Sequence, residues 1–387
     1  MSAPSDPARR PGRLGVGVVG AGRVGAVLGN ALRAAGHPVV GVSAVSQESR
    51  DRADALLPGV PVLDVPEVVR RSELVLLAVP DDALADLVHG LAETGSWQVG
   101  QIVVHTSGRY GADVLAPARA AGAIPLALHP AMTFTGTSLD LARLVGCPFA
   151  VTAPAAVLPI GQALVVEIGG EPTVLDEDAR GLYHAALAHG ANHLVVLVAQ
   201  AAQALAAAGV ADPGRMLAPL LEAALDGALR AESPGDGLTD VRPRGAGAIG
   251  ALTGPVRRGD AGTLVEHLAV LDAFAAREGA PDVASSYRVL ARAAEARALA
   301  AGLLAQDAAA RVLDALAPAV PDEQAEPDQQ PDRQDGPGQS GTSQRSEVAG
   351  IDPGAGWLRQ QSRHDDQDDD QHDEDGRAPR PDPQEDA

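Results

Sequence analysis

The sequence contains no lysine. All 30 basic residues are arginine, which closes every mechanism that needs a lysine amine. Aromatic residues make up 2% of the 387 positions, so its cores have to be assembled from alanine, valine and leucine, a composition that suits closely packed helices better than aromatic-rich sandwiches. The single Cys147 cannot close an internal disulfide and fits a reducing compartment. Residues 1–13, with three prolines and three arginines, read as a disordered N-terminus without the apolar stretch of an export signal, and no run reads as membrane-spanning. These absences lead us to expect a cytoplasmic chain with no membrane partner. No basic stripe with interleaved aromatics is present either, and the net charge is -21, which argues against a nucleic-acid partner. Residues 321–387 hold 19 Asp/Glu against 6 Arg, so most of that acidity belongs to a tail and describes no substrate.

What the chain does have is length and apolar content for two domains, with 45% hydrophobic residues. Its organising stretch is residues 14–37, where a short valine-rich run breaks into glycines and then into a helical pattern. Gly20, Gly22 and Gly25 give G-x-G-x-x-G. Gly20 permits the tight turn, Gly22 lets the backbone approach a pyrophosphate, and Gly25 lets helix and strand pack closely. Arg23 and Val24 open the helix whose first amides can hold the anion. The motif alone is a weak signal. Placed between a strand and a helix, it predicts a dinucleotide-binding Rossmann unit spanning residues 14–150.

Residues 38–44 read as the second strand, and no acidic residue follows it to hold a ribose hydroxyl. Ser43 and Ser46, then Arg50 and Arg52, stand there instead and can meet a 2′-phosphate, which favours NADP over NAD. The competing reading is that Ser46 caps the next helix and the arginines are solvated. Further strands are expected at 60–63, 73–79, 101–104, 123–128 and 148–153. The fourth ends at Val79-Pro80, assigned to the cofactor edge, with Asp81 either beside the cofactor or capping the next helix. Two strands run into histidines, His105 with Thr106-Ser107-Gly108 and His129 with Pro130. Ser107 is assigned to the cofactor edge and not to nucleophilic catalysis, because the G-x-S-x-G elbow is missing. From residue 151 to 317 the pattern turns helical, with its longest candidate at 182–208. Residues 318–387, rich in Pro, Gln, Asp and Ser, read as a disordered acidic tail.

Several short stretches then resemble one family. They are Val79-Pro80-Asp81-Asp82, His105-Thr106-Ser107-Gly108, Leu128-His129-Pro130 with Phe134, Tyr183-His184-Ala185-Ala186 with Asn192, and Leu252 to Asp260 with His267. Together they look like the Rossmann-like oxidoreductases that carry a C-terminal domain of unknown function, the DUF2520 type. The resemblance covers roughly residues 14–275. It implies a mostly parallel, doubly wound α/β domain followed by an all-α domain similar to those of 6-phosphogluconate dehydrogenase, β-hydroxyacid dehydrogenases, ketopantoate reductase and pyrroline-carboxylate reductase. It also implies a nicotinamide cofactor and a homodimer.

One departure from these relatives bears on the chemistry. β-Hydroxyacid dehydrogenases and ketopantoate reductases place a lysine one helical turn before an asparagine, and if Asn192 is that asparagine, Ala188 occupies the lysine position. His184 lies a further turn back on the same helix face and, as an imidazole, is a candidate general acid; the competing reading is a histidine hydrogen-bonded at a domain interface. His189 and His193 have metal-pair spacing but no evident third ligand, so no metal is expected. Thr253 and Arg258 are candidates for substrate contact, Arg258 through a carboxylate, against the alternative of an Asp260-capped helix with surface arginines. The chain is therefore expected to be an NADP-dependent oxidoreductase acting on a small carbonyl or imine, with His105, His129, His184 and Asn192 as polar groups. The alternative is a cofactor-binding sensor without turnover.

Overall fold

The computed structural model describes residues 12–232 and 246–317. The expectations for residues 1–11 and for the acidic tail lie outside the described residues. Arg13, assigned by sequence to the loose N-terminus, is instead held by Glu167 at 2.7 Å.

Seven strands form one sheet: β1 (Val16–Val19), β2 (Val39–Ser43), β3 (Leu74–Leu77), β4 (Ile102–His105), β5 (Ile124–Pro130), β6 (Pro148–Thr152) and β7 (Glu171–Val174). Their order is β2-β1-β3-β4-β5-β6-β7. All neighbours are parallel except β5 and β6, which pair antiparallel with Ala127 opposite Thr152. The central strands Val-Gly-Val-Val, Leu-Val-Leu-Leu and Ile-Val-Val-His are buried throughout, as strands covered on both faces must be.

Helices cover both faces of the sheet. On one lie α1 (Arg23–Ala34), α2 (Gln47–Leu56), α6 (Leu139–Leu144) and α7 (Leu158–Glu167); on the other lie α3 (Val65–Arg71), α4 (Asp81–Glu93) and α5 (Ala116–Ala120). This is the doubly wound Rossmann arrangement. Because the order switches between β1 and β3, the crevice at the carboxyl ends of these strands is where such a sheet receives ligands.

Two sequence expectations change. The strand at 60–63 shrinks to one parallel bridge between Val42 and Val62, since Pro61 has no N–H to give and Asp64 at once caps α3 by accepting from Glu67 N. The border expected at 150/151 falls inside β6, and the sheet continues through β7. An edge strand reading Glu-Pro-Thr-Val, mostly exposed, offers no apolar signal.

Among the described residues helices alone follow: α8 (Arg180–Ala207), α9 (Pro213–Glu232), α10 (Pro255–Arg258), α11 (Ala261–Glu278), α12 (Pro281–Ala300) and α13 (Gln306–Ala315). Val256, Leu264, Leu268, Ala291, Val312 and Leu316 make their largest shared core. The helix over residues 177–207 holds an 18-residue window of mean hydropathy 1.3, long and apolar enough to cross a membrane, although the sequence shows no continuous apolar run there. Alanine and valine raise the mean there, while His184, His189, Asn192 and Gln200 interrupt every continuous apolar stretch.

Candidate functional site

The glycine turn is built to close tolerances. Gly20 has φ +95°, and a Cβ on it would lie 2.6 Å from Ala78 O. A Cβ on Gly25 would lie 2.0 Å from Gly20 O, so α1 packs against the turn in a way only glycine allows. Gly22 differs: a Cβ there meets nothing within 4 Å and would project into open space before the first turn of α1. No side chain caps α1 and its first turn has no acidic residue, leaving its leading amides to an anion. Val79 packs on this turn and Pro80 is the exposed N-cap of α4.

Ser43 supports the turn from beneath. It is buried, its Oγ accepts from Gly20 N at 3.0 Å and its carbonyl accepts from Ala21 N at 2.9 Å. Ser46 caps α2, accepting from Ser49 N at 3.2 Å, and Arg50 is exposed on α2. Arg52 is the arginine that reaches the turn, donating to Ala21 O at 3.2 Å. Arg23 and Arg52 both flank Gly136, whose loop is fixed by buried Asp140 accepting from Thr135 N and Gly136 N, each at 2.8 Å. Burial raises the pKa of that carboxyl, but the Gly136 and Thr135 bonds outweigh it and hold it below the usual range.

The second cluster lies at the ends of β4 and β5 and the first turn of α8. Arg180 is fully buried. Its Nε donates to Thr152 Oγ1 at 2.9 Å, Nη1 to Ser107 O at 3.2 Å, and Nη2 to Ala127 O and Ala150 O at 3.0 Å each. Among the described residues no carboxylate forms an ion pair with it, and burial lowers its pKa. His105 is equally buried, and both its nitrogens are occupied: Nδ1 accepts from Ser107 N at 3.2 Å, which leaves Nε2 to donate to Gly111 O at 2.8 Å. Burial, with Arg180 adding to it against the Gly111 bond, pushes its pKa down to about 4. Ser107 Oγ accepts from Arg109 N and Tyr110 N, each at 3.2 Å, so it shapes the loop.

His129 stands half-buried with Nδ1 2.8 Å from Tyr183 Oη, the two rings edge to face at 87°. Burial first, then Arg180 and His184, push its pKa down to about 4, so it is neutral at physiological pH. The His184 ring lies 6.4 Å from that of His129. A Cβ on Gly108 would come within 2.8 Å of His184 and 2.9 Å of His129, so glycine lets both rings close over the end of β4.

Other sequence candidates lie elsewhere. Asn192 is exposed on α8, about 12 Å along the axis from His184 at about 1.5 Å per residue. Thr253 helps line a cavity of about 380 Å³ with Leu197, Gln200 and Tyr287. Arg258 is exposed next to Asp260, which caps α11 by accepting from Thr263 N at 3.1 Å. His189 and His193 meet at 2.9 Å on the helix surface, and no group of three metal-ligating side chains occurs among the described residues. Sequence reading missed Arg180 and Tyr183 as site residues. Their signal is the spacing Arg180, Tyr183, His184, which puts all three on one face of the first turn of α8.

Residues 1–130 match the sequence model of a Rossmann-like domain, and residues 147–294 match that of a domain of unknown function, DUF2520. Among solved structures the chain is similar to a candidate NADP oxidoreductase from Bacteroides fragilis, with 21% identity over 73% of this chain and 98% of that one and a TM-score of 0.58. It is similar to an imine reductase from Myxococcus stipitatus in complex with NADP+, with 18% identity, coverage of 77% and 99%, and a TM-score of 0.53. A third likeness is to a Thermotoga maritima protein, with 19% identity, coverage of 74% and 98%, and a TM-score of 0.52. At such identities the likeness speaks for the fold. No curated protein sequence matches the chain.

Proposed function

We propose that this chain, which belongs to the family joining a Rossmann-like domain to a DUF2520 domain, is an NADP-dependent oxidoreductase acting on a small carbonyl or imine compound that carries a carboxylate. One observation carries the reading: the open glycine cradle and the His129–Tyr183–His184 cluster stand at the carboxyl edge of the same sheet, where this fold receives its ligand.

The cradle fits a dinucleotide. The free amides at the start of α1 would hold the pyrophosphate, and Arg23 and Arg52 would meet a 2′-phosphate, with Ser43 as their support rather than a contact. When bound, the dinucleotide supplies or accepts the hydride. The protein orients the substrate, keeps His129 neutral and manages the proton. His105, with both nitrogens occupied, positions the Ser107–Gly111 loop.

A homodimer belongs to this reading. Leu182 is 78% and Val195 69% exposed on α8, and Leu220 is 68% exposed on α9, an apolar surface that a second copy would cover. The reducing cytoplasm suits the buried, unpaired Cys147. The experiment is a screen of 2-keto acids and cyclic imines for NADPH consumption by the full chain. Turnover supports the enzyme, and NADPH binding with no turnover of any compound replaces it with a sensor.

A further inference from the structure

We infer that Tyr183 delivers the proton in this reaction and that His129, held behind it, restores that proton from solvent. The inference rests on the oxidoreductase reading above and names the group that takes the missing lysine's part.

Geometry leads to it. His105 has no free nitrogen, and Arg180 points its donors at carbonyls and Thr152. Tyr183 is half-buried, and the hydrogen bond of its hydroxyl, to His129 Nδ1, leaves the oxygen able to serve a second partner. Burial raises the phenol's pKa, so at neutral pH it is a proton donor. The groups facing His129 are Arg180, Tyr183 and His184 from α8, His105 from β4 and Asp81 from α4; all but Asp81 disfavour or leave unassisted its protonation. A neutral imidazole with its proton on Nδ1 can give that proton to oxygen while Nε2 takes another, and it does so without ever carrying a charge beside Arg180.

The step balances as follows. As hydride adds to the carbon of C=O or C=N, the π pair moves to the heteroatom, the Tyr183 O–H bond breaks and its proton joins that pair. The phenolate takes the Nδ1 proton of His129 while Nε2 takes one from water, releasing hydroxide to solvent, and proton exchange with solvent returns the imidazole proton to Nδ1 before the next turnover. Oxidation runs the same path backwards. Arg180 is a positioning residue: it opens α8 three residues before Tyr183 and ties that end of the helix to the Ser107, Ala127 and Ala150 carbonyls.

The test compares wild type with Tyr183→Phe on a 2-keto acid, which needs a proton, and on an N-methylated cyclic iminium, which needs hydride alone. We expect kcat for the keto acid to fall by roughly 10²-fold or more, the size of general acid catalysis, with far less loss on the iminium and NADPH affinity within about twofold. His129→Asn keeps an N–H near the Nδ1 position, so a merely structural histidine is rescued by it, whereas a relay loses kcat at constant KM. Independently of turnover, ¹⁵N NMR of the cofactor-free protein should show one histidine locked with its proton on Nδ1 at neutral pH, a lock that Tyr183→Phe releases. Full keto-acid turnover by Tyr183→Phe, or no such locked histidine, overturns the inference and leaves the enzyme reading standing. A wild type that binds NADPH but reduces nothing overturns the enzyme reading itself.

Discussion

The sheet and the helices after it treat apolar residues in opposite ways. In β1, β3 and β4 every residue is buried, and the glycine turn is fitted to within the size of one methyl group. In α8 only Arg180 and Gln200 are buried, and in α9 none are. The first region covers its apolar residues on both faces; the second leaves apolar side chains such as Leu182, Val195 and Leu220 exposed. A site that needs both has its precise half in the sheet and its adjustable half in the helices.

The largest expected effect strikes the fitted half. Gly25→Val puts side-chain atoms where Gly20 O already stands and should cost about 3 kcal/mol or more, seen as loss of folded protein or a thermal midpoint lower by about 10 °C. If the midpoint holds, the close fit of α1 to the turn is wrong. Arg180→Met comes next. It strands the Ser107, Ala127 and Ala150 carbonyls and should cost roughly 3 kcal/mol in urea unfolding, at about 1–3 kcal/mol for each group left unpaired and with some recovery from water.

Acid should act through the buried histidines. His105 and His129 titrate at about 4 in the folded chain against 6.5 unfolded, so between these values the unfolded state binds more protons. Stability is therefore full above pH 6.5 and falls as the pH drops towards 4, by up to about 3 kcal/mol for each histidine, discounted for the part-exposed His129. His129→Asn should flatten part of that slope in urea titrations across the range; an unchanged slope would show that His129 is not held neutral. The smallest effect on the fold belongs to the open half. Val195→Ser with Leu220→Ser should change chain stability by about 0.5 kcal/mol or less, yet lower the mass seen in sedimentation from dimer to monomer. A dimer that survives both changes moves the interface elsewhere.

Much of the fitted half was legible in the sequence because its signals are local: valine and leucine runs for strands, and glycines whose spacing mirrors the turn they make. β7 was not, because Glu171-Pro172-Thr173-Val174 lies on an exposed edge and shows no alternation. His105 looked catalytic because it ends a strand; only the fold-back of Gly111 onto its Nε2 reveals a structural part. Ser43 and Ser46 stand where a cofactor contact is expected, and their hydroxyl oxygens accept from Gly20 N in the turn and from Ser49 N at the start of α2. Tyr183 meets His129 across 54 positions of sequence, a proximity that no local pattern encodes.

The central claim is that the cradle at the sheet edge is a dinucleotide site complete within one chain. It is tested most directly by fluorescence titration of the full chain with NADPH and NADH, beside Gly22→Asp. Because nothing stands within 4 Å of a Cβ at Gly22, the variant should keep its thermal midpoint within a degree or two while losing NADPH binding at least about 100-fold, through the charge it sets against the pyrophosphate. Wild type should bind NADPH more tightly than NADH. Retained NADPH binding in a folded Gly22→Asp protein would contradict the claim.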